Sequence, residues 1–135
     1  MTYWMKESLK AGLSMEYTMT VNDEMTTTHL GKEVTRVYST PSMIYHMENV
    51  CTLMLEPHLN DGEQSVGTEV NVKHIAATPM GMKVTTRAVL REIDGRRCRF
   101  DVESLDEREK VGEGIHERFI IDINRFDSKL KAKKG

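Results

Sequence analysis

The chain alternates apolar and polar residues in five stretches and breaks that rhythm once, between the first and the second. Leu13, Met15, Tyr17, Met19 and Val21 alternate with small or polar neighbours, the period-two signature of a half-buried strand. The break is "STPSMIYHMENVCTLML", residues 39–55. Ser39 or Thr40 suits an N-cap, and Pro41 suits the first helical turn, where its missing N–H costs nothing. A helix is predicted from Pro41 to Glu56, stopped by Pro57 and the turn-forming Asn60-Asp61-Gly62. Met43, Met47, Val50 and Met54 fall on one helical face, with Ser42, Tyr45, Asn49, Thr52 and Glu56 opposite.

Beyond it the period returns to two: Val66, Thr68, Val70, Val72 and His74; then Val84, Thr86, Ala88 and Leu90; then "RCRFDVESL" and "GEGIHERFIIDI". Asp94 to Arg97, "DGRR", reads as the turn of a hairpin, and "TPMGM" and "DEREKVG" as the other connections. Residues 22–38 have no clean period and are predicted to form a covering loop with a short helical turn over Leu30 to Val37. The basic tail, 123–135, is predicted to close the chain as a short fraying helix whose lysines keep the terminus solvated.

One long helix against a five-stranded antiparallel sheet is a two-layer α+β solution, the outline of a hotdog fold. Such a sheet has open edges. Pairing two copies edge to edge would protect them and create clefts between subunits, so a homodimer is expected, with further pairing to a tetramer left open.

Composition narrows the field. A chain of 135 residues is the size of one domain, 1–135. A net charge of -2, with 39% hydrophobic and 30% charged residues, gives no general pull toward nucleic acid or anionic membrane. The N-terminus is too polar for a signal peptide, and no apolar run approaches the roughly 18 residues of a membrane span, so a cytoplasmic protein is expected. Cys51 and Cys98 sit in apolar patterns and read as buried reduced thiols.

Three polar residues stand out against this background. Glu48 lies on the boundary of the helix's apolar face, with Ile44, Cys51 and Leu55 as helical neighbours. It is either a boundary carboxylate paired with a base or reaching solvent, or a partly desolvated one of heightened basicity and nucleophilicity. His74 continues the Val70, Val72 row and so faces inward, as a satisfied core histidine or as a catalyst meeting a carboxylate from the helix. Thr40 at the helix start is either a cap or a group beside the unpaired N–H donors that can serve an oxyanion. His29, His46, His58 and His116 lack zinc spacing, and no phosphate-binding glycine loop, Gly-x-Ser-x-Gly elbow or basic-aromatic stripe occurs. Arg118, near Gly114 and His116, has the plain alternative of a surface ion pair with Glu113 or Glu117.

"STPSMIYHMENVC", "EPHLNDGEQSVGT", "VKHIAATPMG", "IDGRR" and "GEGIHERFIIDINRFDSKLK", taken in order, resemble the fluoroacetyl-CoA-specific thioesterase family of hotdog-fold proteins over about residues 35–131. The resemblance implies a catalytic group of Thr40, Glu48 and His74, and a substrate site lined by Gly67 and Arg118. It implies hydrolysis of a small acyl-CoA to acid and CoA, with no metal and no cofactor apart from the CoA of the substrate. Glu48 would be either a nucleophile forming an anhydride or a general base to water. The least similar segment, "HLGKEVTRVYS", would lie over the acyl end and contains no Phe or Trp, so fluoroacetyl specificity is not expected to carry over. The rival from another class is a non-catalytic acyl-CoA or small-ligand binding module. A hotdog hydratase fits less well, because its Asp and His should lie close together in one segment.

Overall fold

The computed structural model describes residues 4–135. Strand β1 (Ser14–Thr20) is followed by helix α1 (Thr40–Leu55), strands β2 (Glu63–His74), β3 (Lys83–Asp94), β4 (Arg97–Asp106) and β5 (Lys110–Asp122), and helix α2 (Ile123–Lys134). The strands form one antiparallel sheet in the order β1-β3-β4-β5-β2, the predicted hotdog arrangement. Chain order is not spatial order: β2 pairs with β5 at one edge while β3 starts beside β1, so the link 75–82 carries the chain from one side of the sheet to the other.

Local chemistry explains the helix. Ser39 is the N-cap, its hydroxyl accepting from the Ser42 amide at 3.2 Å, and Pro41 sits in the first turn. At the other end a short 3-10 turn, Glu56–His58, contains Pro57. The apolar face buries Met43, Met47, Val50 and Met54 as expected, together with Cys51, Leu55 and His46. It meets the inner face of the sheet, where Val84, Ala88, Leu90, Cys98 and Phe100 are buried; the valine, leucine and phenylalanine each contribute about 1.5–3 kcal/mol of transfer free energy. Both cysteines are free and buried. Burial pushes the Cys51 thiol above its ordinary range and that of Cys98 up to about 11.

The hairpin at Asp94 forms as predicted. Asp94 pairs with Arg97 across a two-residue turn, and Gly95 supplies the positive φ, 61°, that such a turn needs.

Two expectations are corrected. The first is the continuous Val66 to His74 row. A bulge between Gly67 and Glu69 shifts the β2–β5 register, and one extra residue moves every later side chain to the other face. Val66 therefore faces outward with Phe119, while Gly67, Val70, Val72 and His74 share the inner face with Arg118 and His116. The second is the helical turn at Leu30–Val37. Residues 30–37 hold no helix; the short 3-10 turn lies earlier, at Asp23–Met25, capped by Asn22. Gly31, at φ 109°, turns the chain, and isolated bridges Thr26↔Tyr38 and Val37↔Pro79 hold the returning limb. Arg36 ties the loop together by pairing with Asp23 at 2.9 Å and donating to Thr26 at 2.8 Å.

Candidate active site

Because Ser39 takes the capping role, the hydroxyl of Thr40 is released for another. Its Oγ1 lies 2.8 Å from His74 Nδ1, joining the first residue of α1 to the last of β2. His74 Nε2 is buried without a hydrogen-bond partner among the described residues. Burial holds the imidazole below its ordinary pKa, so it is neutral, with one nitrogen occupied by Thr40 and the other without a protein partner among the described residues. The Tyr38 ring stands edge-on to His74 at 6.2 Å. Behind it Tyr38 Oη meets His46 Nδ1 at 2.5 Å, Tyr17 donates to the His46 carbonyl at 3.0 Å, and Asn49 donates to Tyr17 at 3.4 Å. This buried polar row links α1 to β1 and to the segment preceding the helix. Residues 22–38 and the 75–77 link wall a cleft of about 410 Å³ over Thr40 and His74, with Leu30, Val37, Tyr38 and Ile75 in its lining.

Glu48 lies two turns further along α1 and is half-buried. Among the described residues its carboxylate has no hydrogen-bond or ion-pair partner. It reaches the strand at Gly67: a Cβ added there would lie 3.8 Å from Glu48 Oε1, 3.4 Å from Arg118 Nη1 and 3.3 Å from His116 Cε1. The glycine keeps open a space that three polar side chains surround.

Arg118 is 7% exposed, and each of its three nitrogens makes one hydrogen bond. Its Nε donates to Ser65 Oγ at 2.8 Å, its Nη2 to the Ser65 carbonyl at 3.0 Å, and its Nη1 to His116 Nε2 at 3.1 Å. The other nitrogen of His116 is 2.8 Å from the Glu69 carbonyl. A carbonyl only accepts, so Nδ1 carries the proton and Nε2 presents its lone pair to Arg118. Burial lowers the pKa of both residues, and the negative charge of Glu48 opposes that shift in each. His116, to which the sequence reading assigned no role, thus holds the arginine. Its signal was the alternation that sets His116 and Arg118 on one face of "GIHERF".

The five predicted residues fall into two groups at opposite ends of the inner face of β2. Thr40 and His74 form one; Glu48, Gly67 and Arg118 form the other. Thr40 and Glu48 are about 12 Å apart along the helix axis, and Gly67 and His74 about 23 Å along the strand. Within the chain the Glu48 carboxylate does not meet His74.

A five-stranded antiparallel sheet folded over one long helix is the hotdog fold, here with an unpaired carboxylate on the helix and a neutral histidine at the end of the edge strand, and its relatives are hotdog-fold thioesterases. The family model for fluoroacetyl-CoA-specific thioesterases matches residues 21–124. The fluoroacetyl-CoA thioesterase of Streptantibioticus cattleyicolor is 35% identical, over 96% of this chain and 97% of its own. A solved structure of a fluoroacetyl-CoA thioesterase superposes with a TM-score of 0.85 at 34% identity, covering 94% of this chain and 98% of that one. A threonine-to-serine variant of such an enzyme, solved in complex with acetyl-CoA, gives 0.84 at 33% identity over 94% of this chain and all of its own. The chain belongs to the fluoroacetyl-CoA-specific thioesterase family.

Proposed function

We infer that this chain acts as a single hotdog domain that hydrolyses the thioester of a small acyl-CoA, and that it does so in the cytoplasm as a homodimer. The observation that carries the reading is the Glu48 carboxylate, half-buried, unpartnered and facing the space that Gly67 leaves open. Kinship to enzymes that act on fluoroacetyl-CoA supports it.

In this reading Glu48 attacks the thioester carbonyl, giving a mixed anhydride and CoA thiolate, or takes the proton of a water that attacks instead. His74 Nε2 supplies the proton that leaves with the thiolate, or orients the water. Thr40 fixes the imidazole and lies beside the N-terminal amides of α1, which suit a developing oxyanion. Arg118 holds the substrate's polar part against Gly67.

A dimer unites the two groups. β2 is an edge strand, and Glu69, Val70, Asn71 and Lys73 are exposed along it. Antiparallel pairing of two β2 edges about a two-fold axis at Asn71 keeps the inner faces together and, with Thr68 taken up in the bulge, sets Gly67 opposite the partner's His74. Glu48 then faces the Thr40–His74 pair of the other copy, so each cleft draws on both chains.

The test is a thiol-release assay over short, branched, aromatic and long acyl-CoAs, with Glu48→Ala as control. Turnover of short acyl-CoAs that vanishes in a folded Glu48→Ala dimer is expected. Full turnover in that variant, or saturable binding without hydrolysis across the panel, overturns the reading; the latter outcome makes the chain a binding module.

A further inference from the structure

On the outer face of the sheet, directly behind Gly67, lies a second hollow of about 300 Å³ between β2, β5, the β3–β4 turn and α2. Val66 and Thr68 line it. They bracket Gly67, whose opposite side meets Glu48, so the hollow and the carboxylate stand back to back across the edge strand.

Its walls are aromatic and cationic. The Arg96 guanidinium is held between two rings, 4.4 Å from the Trp4 centroid and 4.8 Å from that of Phe119. Phe126 adds a third ring, and Arg125 and Lys129, one helical turn apart on α2, complete the rim. Several other cations of the sheet are paired, Arg87 and Lys110 with Glu103, Arg91 with Asp101 and Arg97 with Glu117, and the unpaired ones among the described residues, such as Lys73, Lys83 and Arg99, do not line this hollow. On α2 itself Lys131 pairs with Asp127 at 3.0 Å. Arg96, Arg125 and Lys129 have no carboxylate within ion-pair distance among the described residues. Asp122, the acid of the lining, turns Oδ1 to the Arg125 amide at 3.0 Å, capping α2.

Unneutralised guanidinium and ammonium groups around an apolar, ring-walled hollow match a flat aromatic ring carrying phosphates: the ring stacks, and the arginine forks take phosphate oxygens. We propose that this hollow binds the nucleotide end of the CoA substrate, the 3′-phosphorylated ADP. The proposal rests on the acyl-CoA reading above. The pantetheine arm then rounds β2 at its 63–66 end, outside the stretch that pairs with the partner, and delivers the thioester to the inner face beside Gly67.

Trp4 is the sole tryptophan of the chain, so its fluorescence reports the hollow directly. Adenosine 3′,5′-bisphosphate is expected to change Trp4 emission saturably, and less so as salt rises. The double variant Arg125→Gln/Lys129→Gln, checked by circular dichroism, should raise KM for acetyl-CoA about tenfold with kcat little changed, and leave hydrolysis of S-acetyl-pantetheine as in the wild type. An unchanged KM for acetyl-CoA in a folded variant overturns the proposal, including the case in which free bisphosphate still binds. Saturable Trp4 quenching by CoA, lost in the variant, without hydrolysis of any thioester would sink the hydrolase reading and leave the nucleotide site standing.

Discussion

The Thr40 hydroxyl and the His74 imidazole meet at 2.8 Å, and no other hydrogen bond among the described residues engages either side chain. Two groups that depend on each other in this way should act as a unit. Thr40→Ala frees the ring to rotate and is expected to lower kcat about 10²-fold, the scale of a mispositioned acid–base group. His74→Asn should cost as much or more, and the double variant little beyond the worse single one. Thr40→Ser, which keeps the hydroxyl, should retain most activity. Additive losses in the steady-state kinetics of the three variants would separate the two residues.

Acid should weaken both fold and catalysis through histidines that the fold keeps neutral. Burial is the largest cause of the lowered pKa of His46, His74 and His116. A histidine with a folded pKa below its unfolded value binds fewer protons folded than unfolded between the two, so its contribution to stability is complete above the unfolded pKa of about 6.5 and is lost as pH falls toward the folded value. Protonating His116 would also turn the lone pair that faces Arg118 into a second donor. Urea midpoints should therefore be flat above about pH 6.5 and fall below it. Activity should persist somewhat further into acid than an ordinary histidine allows, with an acid limb below 6.5. A limb centred above pH 7 would contradict a neutral His74.

Much of the fold was legible because its elements carry their own period. α1 was bounded to within a residue by Ser39, Pro41 and Pro57, and the β3–β4 hairpin by Gly95. The β2 bulge was invisible, since Val66, Thr68 and Val70 alternate as an unbroken strand would; only pairing with β5 reveals the extra residue. Residues 22–38 were opaque because bridges to distant backbone, not an internal period, determine their path. The site was legible as a set of residues through family resemblance, and not as an arrangement. Nothing local states that Glu48 lies with Arg118 and Thr40 with His74. His116 and His46 passed as bland because their partners, Arg118 with the Glu69 carbonyl and Tyr38, are supplied by tertiary packing.

Gly67 tests the space around the carboxylate. Its backbone is extended, so alanine meets no conformational barrier there, and the effect must come from the methyl group. That methyl would stand 3.3 Å from His116 Cε1 and 3.4 Å from Arg118 Nη1, tight contacts on two side chains already fixed by four hydrogen bonds. Gly67→Ala should cost about 1 kcal/mol of stability, at the low end of overpacking, and raise KM for acyl-CoA by about tenfold. Normal KM and kcat would show that the gap beside Glu48 is not where substrate binds.

Packing between helix and sheet gives a structural control remote from that space. Gly112 on β5 sits under Met43, and an added Cβ would collide with Met43 Sδ and come 3.3 Å from Met47 Cε. Both methionines are flexible and buried, so Gly112→Ala should be destabilising by about 1–3 kcal/mol rather than prevent folding. Denaturant unfolding measures it; a neutral result would mean that the methionine face of α1 is looser than its burial implies.

The final prediction separates support from chemistry at His116. The residue is 1% exposed, stacks near Phe100 and satisfies two partners at once, the Glu69 carbonyl and Arg118. His116→Phe would preserve the ring and its stacking while leaving a buried carbonyl and a guanidinium N–H unpaired, at about 1–3 kcal/mol each. His116→Gln offers one donor and one acceptor and should recover part of that loss. If His116 acts only by holding Arg118, the phenylalanine variant should raise KM more than it lowers kcat, and the pH dependence of kcat should keep its acid limb, since His74 is untouched. A kcat that collapses with KM unchanged, or an acid limb that disappears, would instead place His116 among the groups that move a proton.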